Sequence, residues 1–127
     1  MSYLPDVQTT VARYLDAWNE PDPDQRWALV HSAVAPDAVY TDPGVKDPVE
    51  GQPALAAFIG MFRTQFAHRL EATGPIDGHH HYLRMPWRFA AGDDVMATGL
   101  LVASLDRDRK LVQILHFVDP ASGLDGV

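Results

Sequence analysis

Three side chains in this sequence combine proton chemistry with an apolar setting. Asp42 lies in Tyr40-Thr41-Asp42-Pro43-Gly44. If that stretch is extended, Tyr40 and Asp42 share a face. A carboxylate so placed can remove a proton next to a carbonyl, or activate a water. An aspartate before proline also suits an ordinary turn with no chemistry. Tyr14 falls between Val11 and Trp18 on an apolar helical stripe. Its hydroxyl needs a partner when buried, either inside the core or as a donor aimed into a cavity. His116 alternates with Ile114 and Val118, while Leu115 and Phe117 take the opposite face of the same strand. Its charge changes near neutral pH, which makes it the natural second acid or base, although a histidine on an apolar face also serves as an ordinary core residue.

The elements that must position these groups are legible from periodicity. Val7, Val11, Tyr14, Leu15 and Trp18 recur at helical spacing, with Pro5 in the first turn and Asn19-Glu20-Pro21 as a stop. Asp22 or Asp24 caps a second helix whose Trp27, Val30, Ala33 and Val34 face inward, ending before Pro36. A short extended piece over 38–42 leads to a loop. A third helix opens at Gly51 and Pro53 and carries Leu55, Phe58, Ile59, Phe62 and Phe66 as its stripe. Beyond it the period changes to two. The expected strands are 70–77, 79–89, 95–105 and 111–118, with turns at Gly92-Asp93-Asp94 and Asp106-Arg107-Asp108. In the last strand Leu111, Gln113, Leu115 and Phe117 are expected to face away from the helices. Helices followed by antiparallel strands predict an α+β fold with the helices on one face of a curved sheet.

Composition narrows the function classes. The 127 residues suit one domain, 1–127, with an ordered core over about 7–118 and a small polar tail over 120–127. The chain is 46% hydrophobic and 21% charged, as globular proteins are. A net charge of −7 without a basic run disfavours nucleic acid and anionic membrane as partners. The absence of cysteine removes disulfides, thiolate metal sites and a cysteine nucleophile. No apolar run is long enough to span a bilayer and the first ten residues lack signal-peptide character, so a cytoplasmic protein is expected. His79, His80 and His81 invite a metal reading, but neighbours on a strand point to opposite faces and no further ligand motif supports them. No nucleophile elbow, phosphate loop or dinucleotide fingerprint occurs. Neither a metal nor a cofactor is expected.

The stretch VARYLDAWNEPDPDQRWALVHSAVAPDAVYTDPG, followed by EGQPALAAFI, resembles the nuclear-transport-factor-two-like superfamily, in its SnoaL-like polyketide cyclase and ketosteroid isomerase branch. The resemblance runs from about Val7 to Val118. It implies a cone: three N-terminal helices on the concave face of a strongly curved, mixed, mostly antiparallel sheet. It also implies an apolar cavity between them and a homodimer through the sheet. Arg13-Tyr14-Leu15 matches the helix tyrosine that donates to a developing enolate in ketosteroid isomerases, and Asp42-Pro43 matches their aspartate base. The second donor of those enzymes falls on Leu101, which cannot donate. His116, on the neighbouring strand, is the candidate substitute. A Tyr14, Tyr40, Asp42 and His116 set is also similar to that of scytalone dehydratases.

The expected catalytic set is therefore Asp42 as base, Tyr14 as oxyanion donor and His116 as shuttle or second donor. Trp18, Tyr40, Phe58, Phe62, Met85, Trp87, Gly99 and Leu101 are the expected cavity wall, although most of them are equally natural core residues. The implied activity is cofactor-independent acid/base chemistry, of isomerase, cyclase or dehydratase type, on a small apolar oxygenated molecule. The alternatives are a ligand-binding or accessory protein without turnover, and a dimerisation module whose cavity is filled by side chains.

Overall fold

The computed structural model describes residues 3–120, and side chains from residue 6; the tail predicted over 120–127 lies, from 121 onward, outside the described residues. Three helices come first: α1 (Tyr3–Asn19), α2 (Pro23–Ala33) and α3 (Gln52–Gln65). Strand β1 (Val34–Thr41) and the two-residue β2 (Val49–Glu50) lie between α2 and α3. After α3 come β3 (Arg69–Ala72), β4 (Asp77–His79), β5 (Tyr82–Ala91), β6 (Asp94–Leu105) and β7 (Leu111–Val118).

The seven strands form one sheet in the order β2-β1-β7-β6-β5-β3, with β4 paired to β5 beside β3. Only β1 and β7 run parallel; the other pairs are antiparallel. The fold is thus the α+β cone, three helices on a curved mixed sheet. Among the described helices none is long and apolar enough to cross a membrane.

Helix α1 buries Val7, Val11, Tyr14 and Trp18 as its spacing predicts, and Ala17 with them, while Leu15 is only partly buried. Its C-terminus is fixed twice. Asn19 mimics a strand neighbour, donating to Leu70 O at 2.9 Å and accepting from Leu70 N at 2.8 Å. Arg26 donates to the Glu20 and Pro21 carbonyls, which gives the backbone of the tight link between α1 and α2 the partners it lacks. Asp22 caps α2, accepting from Gln25 N at 2.9 Å.

Several expectations are corrected. Trp27 does not face inward: Arg26, Val30 and Ala33 form the buried face of α2, and Trp27, one position round the helix, is 41% exposed against His31. Val34 is buried but opens β1, which starts before Pro36; a register shift between Val34 and Val39 absorbs the proline. The expected strand over 70–77 is two strands, because Gly74-Pro75-Ile76 interrupts the pairing with β5 after Thr73 N donates to Pro86 O. The three histidines do not open β5. They close β4 and form the turn, with His80 at φ +53. Leu111 faces the core, since a one-residue register shift between Ala103 and Leu105 reverses its side.

Gly99 lies where the sheet is most tightly packed. A Cβ there would stand 1.9 Å from Phe117 O and 2.5 Å from the Trp87 ring. The bare backbone is what lets the Trp87 indole lie across β6.

Candidate active site

The inner face of the sheet, with helices α1 and α3, borders an open cavity of about 230 Å³. Helix α1 contributes Trp18, and α3 contributes Phe62. Tyr40, Asp42 and Gly44 come from the end of β1 and the turn after it. Trp87 and Phe89 line it from β5, Met96 and Ala97 from β6, His116 and Val118 from β7, and Leu70 from β3. The wall is aromatic and aliphatic apart from one carboxylate, one phenol and one imidazole. No lysine or arginine lines it among the described residues.

Asp42 forms the turn its sequence context predicts and still lines the cavity. Its Oδ1 accepts from Gly44 N at 2.7 Å, which is the side-chain bond of an Asx turn. Its Oδ2 accepts from the Tyr40 hydroxyl at 2.5 Å. The extended end of β1 sets both residues on one face, so the turn fixes the carboxylate while leaving it on the cavity wall. Burial, the nearby Tyr14 and the Asp42 carboxylate push the Tyr40 hydroxyl well above the usual phenol range. It therefore remains a donor to Asp42.

His116 is 6% exposed, and its Nε2 lies 2.8 Å from the Tyr14 hydroxyl. Burial lowers its pKa to about 4, and the Asp42 carboxylate only partly opposes that. The imidazole is neutral at pH 7. Tyr14 is fully buried in α1, and its hydroxyl is pushed well above the usual range by that burial. The Trp18 indole N–H approaches it closely enough to ease ionisation somewhat, without completing a hydrogen bond. Rings of Tyr14, Trp18, Tyr40 and Trp87 surround the imidazole, with centroids 5.9, 6.2, 5.5 and 5.4 Å away.

Of the expected set, Trp18, Tyr40, Asp42, Phe62, Trp87 and His116 meet on the cavity wall. Tyr14, Phe58, Met85, Gly99 and Leu101 stand behind it. Tyr14 ends at His116. Phe58 packs on the Tyr40 ring, with centroids 5.1 Å apart. Leu101 is fully buried between its cross-strand partners Met85 and His116. Gly99 is covered by Trp87. Six further wall residues, Gly44, Leu70, Phe89, Met96, Ala97 and Val118, were not among those expected. Phe89 and Val118 carry a usable signal, since they continue the two-residue alternation of Trp87 and His116. Leu70 reaches the wall as the cross-strand partner of Phe89, with its backbone held by Asn19. Among the described residues no group of three or more His, Asp or Glu side chains is arranged to hold a metal. His79 and His80 are exposed and bond to each other through their Nδ1 atoms at 2.9 Å.

Comparison with known proteins agrees with this architecture. A SnoaL-like protein from Agrobacterium tumefaciens str. C58, whose name gives it a provisional isomerase assignment, is 35% identical. The match covers 91% of this chain and 99% of that one, with a TM-score of 0.82. A protein of unknown function with a cystatin-like fold, from Methylobium petroleophilum PM1, superposes at TM-score 0.75 with 17% identity over 95% of this chain and 82% of its own. A provisionally named ketosteroid isomerase from Kribbella flavida DSM 17836 superposes at 0.70 with 14% identity over 92% and 80%. These last two share the fold alone. No protein of curated function matches the chain. The SnoaL-like domain model matches residues 11–114, a span that holds Tyr14 and Asp42 and ends two residues before His116. The chain belongs to the SnoaL-like family, within the nuclear-transport-factor-two-like superfamily.

Proposed function

We propose that the protein is a cofactor-independent enzyme of isomerase type acting on a small, apolar, oxygenated molecule. The observation that carries this reading is the pairing, on one apolar wall, of a clamped carboxylate with a neutral imidazole. Asp42 takes a proton next to a carbonyl, and the His116 side of the cavity faces the oxygen on which charge develops. Cyclisation and dehydration share this first step. The isomerase assignment of the Agrobacterium protein supports the same class. A cavity of about 230 Å³ is below the ~300–1,000 Å³ typical of drug-sized ligands, which favours a compact substrate of one or two rings.

A binding function without turnover has one observation in its favour. The position that the resemblance to ketosteroid isomerases gives to a second acidic donor is a leucine, Leu101, buried behind the wall beside His116, so the cavity has no acidic donor there. Deuterium exchange separates the two readings. Wild-type protein should speed α-proton exchange in at least one of a set of compact enolisable ketones, and Asp42→Asn should abolish the effect. Exchange no faster than buffer across the whole set would leave binding as the better account.

We further propose a homodimer through the outer face of the sheet. Leu100 pairs with Phe117 and Val102 with Leu115, so four apolar residues lie together on the side away from the cavity. Phe117 is 54% exposed in the single chain. Such a patch is normally covered.

A further inference from the structure

We infer that Tyr14 is a positioning residue that holds His116 in the tautomer protonated at Nδ1, and that this N–H is the cavity's donor to a neutral carbonyl oxygen of the ligand. The ligand half deepens the proposed function and rests on it; the tautomer follows from the Tyr14–His116 contact in a neutral ring and does not depend on that reading.

The direction of the Tyr14–His116 bond follows from what each group can do. A buried hydroxyl left without an acceptor carries a desolvation penalty, so the Tyr14 O–H must donate to something. His116 Nε2, at 2.8 Å, is its only acceptor among the described residues. The Trp18 indole N–H also acts on the Tyr14 oxygen, and it can only donate. It therefore favours the arrangement in which the Tyr14 oxygen is approached by an N–H and its own proton points at His116. Nε2 is then the acceptor. A neutral imidazole keeps one proton, and it must sit on Nδ1.

Nδ1–H has no protein partner among the described residues, yet it is not one of the nitrogens sealed from solvent. His116 itself is buried and lines the cavity, so the opening onto Nδ1 is the cavity. The competing donors are occupied or closed off. The Tyr40 O–H and the Gly44 N–H are both committed to Asp42. The indole nitrogens of Trp18 and Trp87 are shut away from the space their rings border.

One neutral donor, one carboxylate and no cation define the ligand. A carboxylate or phosphate would face Asp42 without a counter-charge. A neutral ketone can accept from Nδ1–H while presenting its α-proton to Asp42. The imidazole gives no proton away in this step; it stabilises the growing oxyanion as a hydrogen-bond donor.

The test reads the tautomer first. In ¹⁵N-labelled wild-type protein at pH 7, long-range ¹H–¹⁵N spectra should show His116 protonated at Nδ1 and bare at Nε2. In Tyr14→Phe the Nε2 acceptor loses its donor, and the Nε2–H form should appear. A wild-type ring protonated at Nε2, or a tautomer unchanged in Tyr14→Phe, overturns the positioning role. The ligand class is read with three probes of similar shape: 2-tetralone, tetralin and 2-naphthoate. Tetralone should shift the Nδ1–H resonance and bind about tenfold more weakly to Tyr14→Phe, while tetralin should bind both proteins alike. Naphthoate should bind far more weakly than tetralone. Naphthoate binding as tightly as tetralone, tetralone binding without moving the resonance, or no tetralone binding at millimolar concentration overturns the ligand class. None of these readouts needs turnover, so failed proton exchange would remove the isomerase reading without touching the tautomer.

Discussion

Tyr40 donates a 2.5 Å hydrogen bond to Oδ2 of Asp42, two residues further along the same chain end. Gly44 N holds the other oxygen, so both lone-pair sets are directed before any ligand arrives. Asp42→Asn keeps the size and most of the hydrogen bonding but removes the base. Ligand binding should survive, and proton exchange should fall by about 10²- to 10⁴-fold. Tyr40→Phe leaves the Gly44 bond in place and should cost only about tenfold in exchange. Isotope exchange followed by NMR on the two variants checks the ranking.

His116 should make stability depend on pH. Its folded pKa, lowered by burial to about 4, lies below the ordinary value of 6.5. Between these values the unfolded chain binds a proton that the folded chain does not, so stability falls as pH drops from about 6.5 to 4. The gap corresponds to a loss on the order of 3 kcal/mol. Urea melts at a series of pH values should show this slope in the wild type. His116→Gln, which does not titrate, should lack that part of it.

Gly99→Ala should be costly despite adding one carbon. The new Cβ would meet Phe117 O at 1.9 Å, and a backbone carbonyl in a paired strand cannot step aside as a side chain can. The expected loss is at the upper end of the ~1–3 kcal/mol for overpacking, or beyond it. Gly92→Ala is the comparison. Gly92 has open space around it but φ +61, so its loss should be about 1 kcal/mol. Thermal melts of the two variants should rank Gly99→Ala well below Gly92→Ala.

Leu101→Asp should not create a donor to substrate. The side chain is fully buried behind the wall and faces His116 across the strand pair. A carboxylate there should instead favour the imidazolium and raise the His116 pKa from about 4. Protein stability should fall by roughly 2–5 kcal/mol. A pH titration of the His116 ring resonances checks the direction.

Phe117→Arg places a charge in the outer apolar patch and touches nothing in the cavity. Sedimentation equilibrium should show a dimer for the wild type at micromolar concentration and a monomer for the variant, with unchanged far-ultraviolet circular dichroism.

The sequence by itself determined the three helices and the long strands β5, β6 and β7 in outline, and it singled out Tyr14, Asp42 and His116 as candidates. Helical spacing sets Val7, Val11, Tyr14 and Trp18 on one buried face, because side chains three and four apart stack on a helix. Two-residue alternation sets Trp87 and His116 on the inner face of the sheet. Asp42-Pro43 marks the end of β1, since an aspartate before proline terminates an extended run in a turn. Tertiary structure decided what these groups touch. Tyr14 and His116 are 102 residues apart, and their contact exists only because the sheet curves β7 back under α1. That contact withdraws the tyrosine from the cavity and leaves the imidazole on its wall. Arg26 rather than Trp27 is buried where it donates to the Glu20 and Pro21 carbonyls of the link between α1 and α2, a demand invisible within α2. Leu111 turned inward through a one-residue shift in pairing, which no alternation pattern contains. Local periodicity fixes the face a side chain takes; strand curvature, bulges and the partners of buried polar groups fix which faces meet, and those are properties of the assembled chain.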